Sequence, residues 1–208
     1  MTYIPKHFLI DDLEKQHWFI KKYNFGQLIV VVNNTLYTAH IPFLLETQEG
    51  SKGYLSCHVA KANSIWRHVV DGYFMITFSG PNAYISPDWY QTQNLVPTWN
   101  YCAAYVQGKA EILNDTELDK LLMNLTKIEE KKLEKDKSWS IQNISPSVYS
   151  SMKREIVGVG ITIKSINTKW KLSQNRPAAD RGSVAKELNS LGSSDALSVA
   201  SMMGISDI

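Results

Sequence analysis

Leu28-Ile-Val-Val-Val-Asn-Asn-Thr-Leu-Tyr-Thr-Ala-His-Ile-Pro-Phe-Leu-Leu45 is the stretch that decides the fold class. Leu28 to Val32 is a continuous apolar, β-branched run of strand length. Asn33-Asn34 can take the left-handed backbone that a two-residue hairpin turn demands. Leu36 to Leu45 then returns as the second arm, and Pro42 marks an irregular or unpaired point in it because proline has no N–H to donate. A tight turn between two such runs predicts antiparallel pairing, not βαβ crossovers.

Outward from this hairpin, strands outnumber helices. Asp11 or Asp12 caps a helix running to about Lys22. Gly53 to Val59 reads as a third strand and Ala60 to Val70 as a short helix. Tyr73 to Phe78 and Ala83 to Ile85 read as two strands split by a turn at Gly80-Pro81-Asn82. Ser86 to Pro97 is polar, aromatic and proline-flanked, and predicts a long loop. Trp99 to Ile112 resumes as a strand. Asn114 with Glu117 forms a capping-box start for a helix carrying Leu118, Leu121, Leu122, Leu125 and Ile128 at helical spacing. Its outer face offers Glu129 with Lys132 and Glu134 with Lys137 as supporting pairs. A short helix follows Pro146, and Val157 to Leu172 reads as a strand interrupted near Asn167. Pro177 to Leu191 is expected to be the last ordered helix of a single domain spanning 1–191, with 192–208 as a tail.

The chain has 208 residues, 44% hydrophobic and 20% charged, which is ordinary globular composition. Its opening, MTYIPKHFLIDDLEKQ, lacks the apolar run of a secretory signal, so a cytoplasmic protein is expected. No apolar stretch is long enough for a membrane helix. Cys57 and Cys102 lie in strand-like segments and read as buried thiols; no spacing suits a metal site. The net charge of +2 hides an uneven distribution. Lys153, Arg154, Lys164, Lys169, Lys171, Arg176, Arg181 and Lys186 face only Glu155 and Asp180 between residues 152 and 186. That third of the chain attracts anions, whether phosphate, nucleotide or DNA, unless it is simply a solvated face.

Six segments carry a resemblance: Tyr3-Ile-Pro-Lys-His-Phe8, Thr38-Ala-His-Ile-Pro-Phe-Leu-Leu45, His58-Val-Ala-Lys-Ala-Asn63, Phe78-Ser-Gly-Pro-Asn-Ala-Tyr-Ile-Ser-Pro-Asp-Trp-Tyr90, Val96-Pro-Thr-Trp-Asn-Tyr101 and Lys169-Trp-Lys-Leu-Ser-Gln-Asn-Arg-Pro-Ala-Ala-Asp-Arg181. In this order they resemble the PaiB-type, FMN-binding negative transcriptional regulators, with departures at Cys57, Asp88, Gln91 and Tyr105. The resemblance implies an α+β, antiparallel FMN-binding split β-barrel with peripheral helices. It also implies a homodimer that builds its flavin sites across the subunit interface.

Candidate ligands follow, each with a structural alternative. The segment ending one strand and opening a helix suits a phosphate, since helix N-termini present free N–H groups. By analogy with the family, Lys61 grips that phosphate, with His58 and Asn63 beside it; otherwise they are a surface lysine and a cap. Thr38 and His40, two apart on a strand, share a face and could line the flavin edge. Trp99, Asn100 and Tyr101 could form an aromatic wall with a polar amide, or anchor a strand. Lys171, Gln174, Asn175 and Arg176 are a dense donor cluster in which Arg176 either grips an anion in two prongs or pairs with Asp180.

No Gly-x-Ser-x-Gly, His-Glu-x-x-His or glycine-rich phosphate loop is present, which removes support for hydrolase and kinase readings. The family implies repression, direct or indirect. The helix pair around Val184 to Met203, turning at Gly192-Ser193-Ser194, lacks a basic recognition helix, so direct DNA contact is not implied by it. A flavin-dependent oxidoreductase is the alternative. A haem protein using His7, His17, His40, His58 or His68 ranks third, since none lies in a haem motif.

Overall fold

Asn33 and Asn34 both hold positive φ, 48° and 60°, so the hairpin turns where the sequence predicts. The computed structural model describes residues 2–70, 72–134 and 139–205. The elements are β1 (Leu9–Ile10), α1 (Leu13–Lys22), β2 (Phe25–Val32), β3 (Thr35–Pro42), β4 (Leu44–Glu46), β5 (Tyr54–Ala60) and α2 (Ile65–Val69). They continue with β6 (Tyr73–Ile85), β7 (Thr98–Ile112), α3 (Asp115–Lys131), α4 (Pro146–Lys153), β8 (Ile156–Lys171), α5 (Ala178–Leu191) and α6 (Ser194–Ile205). The strands follow the hydrogen-bonded order β3-β2-β6-β7-β8-β5-β4, with β1 on β8.

Two compact units interleave along the chain, and β6, β7 and β8 run through both. The smaller contains Met1–Phe19, Ser79–Tyr105 and Asn167–Ile208; the larger contains Ile20–Phe78 and Val106–Ile166.

In the larger unit β2 pairs antiparallel with β3 and with β6, and β5 pairs with β4 and β8. Leu28, Val30, Ile41, Phe43, Ile76 and Phe78 are buried, each fully buried side chain of this size contributing roughly 1.5–3 kcal/mol. At Gly26 a Cβ would come within 2.8 Å of the Phe78 ring, so the glycine is needed for close packing. The second arm breaks after Pro42: Phe43 donates its N–H to the Asn24 carbonyl at 2.8 Å, and β4 turns away to join β5. The capping box of α3 forms with both of its bonds, and Leu118, Leu121 and Leu125 pack on Leu44. Lys132 pairs with Glu129 at 2.8 Å. Lys137, the expected partner of Glu134, lies outside the described residues.

Cys57 is fully buried, which pushes its thiol up to about 12, and Cys102 is buried too. Both are free thiols, as their strand positions suggest.

In the smaller unit β1 pairs with the end of β8, Leu9 opposite Lys169. Trp170 is fully buried between Trp18 and Phe19, each with its ring 6.1 Å away. Helix α5 ends at Gly192, which holds φ 68°, and α6 returns with Ala196, Val199, Met202 and Met203 buried.

Four expectations are corrected. Gly80-Pro81-Asn82 is no turn: β6 is continuous over 13 residues. Gly80 serves packing, since a Cβ there would lie 2.7 Å from the Phe19 ring. Pro81 falls beyond Thr77, the last residue of the β2–β6 register, so its missing N–H breaks no bond to β2. Strand β8 likewise runs through Asn167 without interruption. Helix α2 has five residues, not the eleven of Ala60 to Val70, because Lys61 donates its N–H to the Glu155 carbonyl and opens a turn. Residues 194–205, expected as a polar tail, form α6, whose small and sulfur-containing residues bury one side.

Candidate functional site

Along β8 of the smaller unit, Lys169 and Lys171 lie two apart and so share a face, while Trp170 points into the core. Lys169 places its ammonium 5.3 Å from the Tyr101 ring centre and 5.8 Å from that of Tyr3. Lys171 donates to the Thr98 hydroxyl and to the Trp99 carbonyl at 2.8 Å. Arg176 stacks over the Tyr90 ring at 5.3 Å. Burial, then Lys169, then Arg176 hold the Lys171 ammonium below its usual range. Among the described residues Lys169, Lys171 and Arg176 make no ion pair, although the Asp180 carboxylate lies within the field of Arg176. Trp99, 54% exposed, meets Tyr84 edge to face at 6.0 Å and leaves an open aromatic surface beside the cations.

Three of the sequence candidates are occupied by structural bonds. Asn100 is fully buried; its amide exchanges hydrogen bonds with the Ser173 hydroxyl at 3.1 and 3.2 Å and reaches Met203 Sδ at 3.9 Å. It ties β7 to the segment after β8 and is out of a ligand's reach. Gln174 donates to the Trp170 carbonyl at 2.6 Å and accepts from the Leu172 N–H at 2.8 Å, closing the end of β8. Asn63 accepts from the Ile65 N–H at 3.1 Å, two residues along, in the turn that leads into α2. Asn175 is exposed.

Asp180 does not form the salt-bridged turn considered for Arg176. Its Oδ1 accepts the Gln91 and Thr92 N–H groups at 2.8 and 3.0 Å and anchors the loop after β6. Those loop N–H groups, with Arg176, hold its carboxyl below the usual carboxylate range.

In the larger unit Thr38 and His40 do share a face, and it is open. Thr38 Oγ1 accepts from Gln27 at 3.0 Å, and His40 stacks on the exposed Phe25 ring at 6.2 Å. Lys61 is exposed at the turn after β5. Its carbonyl accepts the Trp66 indole N–H at 3.1 Å. Because α2 starts only at Ile65 and is a little over one turn long, the helix-terminus argument for a phosphate at Lys61 loses its basis. His58 is half-buried and its Nδ1 has no hydrogen-bond partner among the described residues; burial holds its pKa below 6.5.

Lys169, Tyr3, Tyr84 and Asp180 are the residues that sequence reasoning missed as parts of this site. The two-residue spacing of Lys169 and Lys171 was available to find the first. The pairing of β1 with β8, which sets Tyr3 near Lys169, is a long-range event with no local signal.

A family model described as "Putative FMN-binding domain" matches residues 2–165. The chain is also 32% identical over 202 residues to the protease synthase and sporulation protein PAI 2 of Bacillus subtilis, covering 97% of this chain and 96% of that one. The chain belongs to the PaiB-type FMN-binding family. Among solved structures, this PaiB-type chain resembles the flavocytochrome of Azotobacter vinelandii, with a TM-score of 0.61, 12% identity and 81% of this chain and 72% of that one covered. It also resembles an FAD- and haem-binding protein of Mycobacterium smegmatis, with a TM-score of 0.56, 11% identity, and 78% and 73% covered. At such identities the likeness shows the fold, an antiparallel split barrel with peripheral helices.

FMN is a planar ring bearing a phosphate, and the PaiB-type chain offers what that needs. Lys169, Lys171 and Arg176, none of them in an ion pair among the described residues, suit the anion, and the exposed Trp99 face suits the ring. The fit is therefore good on the side of the smaller unit.

Proposed function

We propose that the protein is a cytoplasmic negative regulator that binds FMN and works as a homodimer with flavin sites shared between copies. The observation that carries the FMN site is the group of three mutually repelling cations, Lys169, Lys171 and Arg176, beside an exposed tryptophan. Lys171 and Arg176 would hold the phosphate and Trp99 and Tyr101 would flank the ring, while Thr38, His40 and His58 of the larger unit would offer polar contacts to a flavin shared with a second copy. Bound FMN supplies a two-electron redox centre. The chain's own residues bind it, orient it and neutralise its charge.

Support for the shared site comes from the face of Thr38 and His40. It encloses nothing by itself, and the neighbouring Phe25, Val31, Leu36 and Tyr73 are all exposed. A second copy covering that face would turn an open surface into a pocket.

Helix α6 carries Asp195 and neither lysine nor arginine, so it is not suited to reading DNA phosphates. Any DNA contact falls to the basic residues between 152 and 186, and repression can equally pass through another protein.

FMN titration of the flavin-stripped protein, followed by flavin fluorescence, tests the reading. Saturable binding with one FMN per chain is expected. Arg176→Ala should weaken it at least tenfold, while Lys61→Ala, if its turn is only structural, should leave it near the wild-type value. The reverse pattern would move the phosphate to Lys61 in the larger unit. Steady oxidation of NAD(P)H by the loaded protein would replace the regulatory reading with an oxidoreductase.

A further inference from the structure

A cavity of about 190 Å³ in the larger unit is lined by none of the candidate flavin residues and lies between α3 and the β4–β5 pair. Tyr54 and Ser56 alternate onto the same face of β5 and both line it. Ser56 is 97% buried, and among the described residues its hydroxyl makes no hydrogen bond, though it borders the cavity. Gly160 stands opposite Ser56 in the β5–β8 register. A Cβ at Gly160 would come within 1.7 Å of the Tyr54 hydroxyl, so the tyrosine lies across this glycine and the recess exists because residue 160 has no side chain.

Charge in this recess is one-sided. Glu46, Glu49, Glu111 and Glu117 line it against the single ammonium of Lys120, which pairs with Glu46 at 2.8 Å and reaches Glu49 at 3.7 Å. Glu111 accepts the Tyr54 hydroxyl at 3.1 Å, and Glu117 accepts the Asn114 N–H at 2.8 Å, which leaves each with a further oxygen. Burial, with Glu111, Glu117 and Glu49 around it, pushes the Tyr54 hydroxyl well above its usual range, as a negative field would. Among the described residues no three of these carboxylates converge as metal ligands do. Spread acceptors around a recess this small suit a cation that presents several N–H donors on a short carbon chain.

We propose that this cavity binds a small alkylammonium, with Glu111 and Ser56 accepting its N–H groups. The site is separate from the flavin and does not depend on it.

Calorimetric titration of the full chain with n-butylammonium chloride, n-butanol and calcium chloride tests this. Saturable butylammonium binding is expected, with no binding of butanol. Glu111→Gln, which keeps an acceptor for Tyr54, should weaken binding at least tenfold while its circular dichroism and melting temperature stay those of the parent. Ser56→Ala, a smaller change, should weaken it severalfold. Absence of butylammonium binding at millimolar concentration would overturn the proposal. So would equal binding of butanol, calcium binding that displaces the amine, or unchanged affinity in both variants.

Discussion

Lys171 is where burial and charge conflict most openly. Its ammonium keeps two hydrogen bonds, to Thr98 and the Trp99 carbonyl, yet burial, Lys169 and Arg176 all oppose the charge. A lysine with a folded pKa below the unfolded 10.5 costs stability fully below the folded value, and that cost disappears as pH rises towards 10.5. An anion beside it reverses the sign: the charged form is then favoured, and binding falls as pH passes through the lowered pKa. FMN affinity should therefore be level near pH 8 and decline before the pH at which an ordinary lysine titrates. Lys171→Met should bind roughly tenfold more weakly at pH 8, the size of one charge-assisted hydrogen bond of about 1.4 kcal/mol, and should lose the decline. Fluorescence titrations from pH 8 to 10.5 on both proteins check this. A decline retained in Lys171→Met would assign the titration to another group.

Elements were legible where local chemistry decides them and illegible where a distant contact does. Asn33-Asn34 and the Asn114–Glu117 capping box act within a few residues, and both formed as read. Gly80-Pro81-Asn82 carries the same kind of turn signal, yet the Phe19 ring over Gly80 turns it into strand, and nothing near residue 80 in the sequence announces Phe19. The candidate site divides in the same way. Aromatic and basic residues were recognisable by type, whereas the burial of Asn100 against Ser173 depends on packing between segments 73 residues apart.

The loop between β6 and β7 is another such case, because its anchor, Asp180, is 89 residues beyond Gln91. Asp180→Ala would leave the Gln91 and Thr92 N–H groups without their acceptor, in a loop otherwise rich in exposed polar residues. Hydrogen exchange at those two amides should accelerate by an order of magnitude or more. The buried amides of β7 in the same unit, such as that of Ala104, should keep their protection, and equal acceleration there would mean that Asp180 supports the whole smaller unit.

At the scale of the molecule, the open question is what covers the outer face of β2, β3 and β6. Val31 lies opposite both Leu36 and Tyr73 in the strand registers, so these three, exposed at 44, 63 and 90%, form one apolar band across the sheet. Thr38 and His40 share the β3 side of that face. A contiguous band of this kind is the usual mark of a protein interface, and for a family expected to share its flavin sites the economical partner is a second copy. Sedimentation should then give about twice the 23.6 kDa chain mass. Leu36→Glu should yield a folded monomer, since an exposed position costs the isolated chain within about 0.5 kcal/mol, while a carboxylate pressed into an apolar interface is strongly unfavourable. If sites are shared, the same variant should also lose FMN, although Leu36 is not among the candidate ligands. A Leu36→Glu monomer that retains wild-type FMN affinity would place the complete flavin site within one chain, and a wild-type protein that sediments as a monomer with FMN bound would do the same.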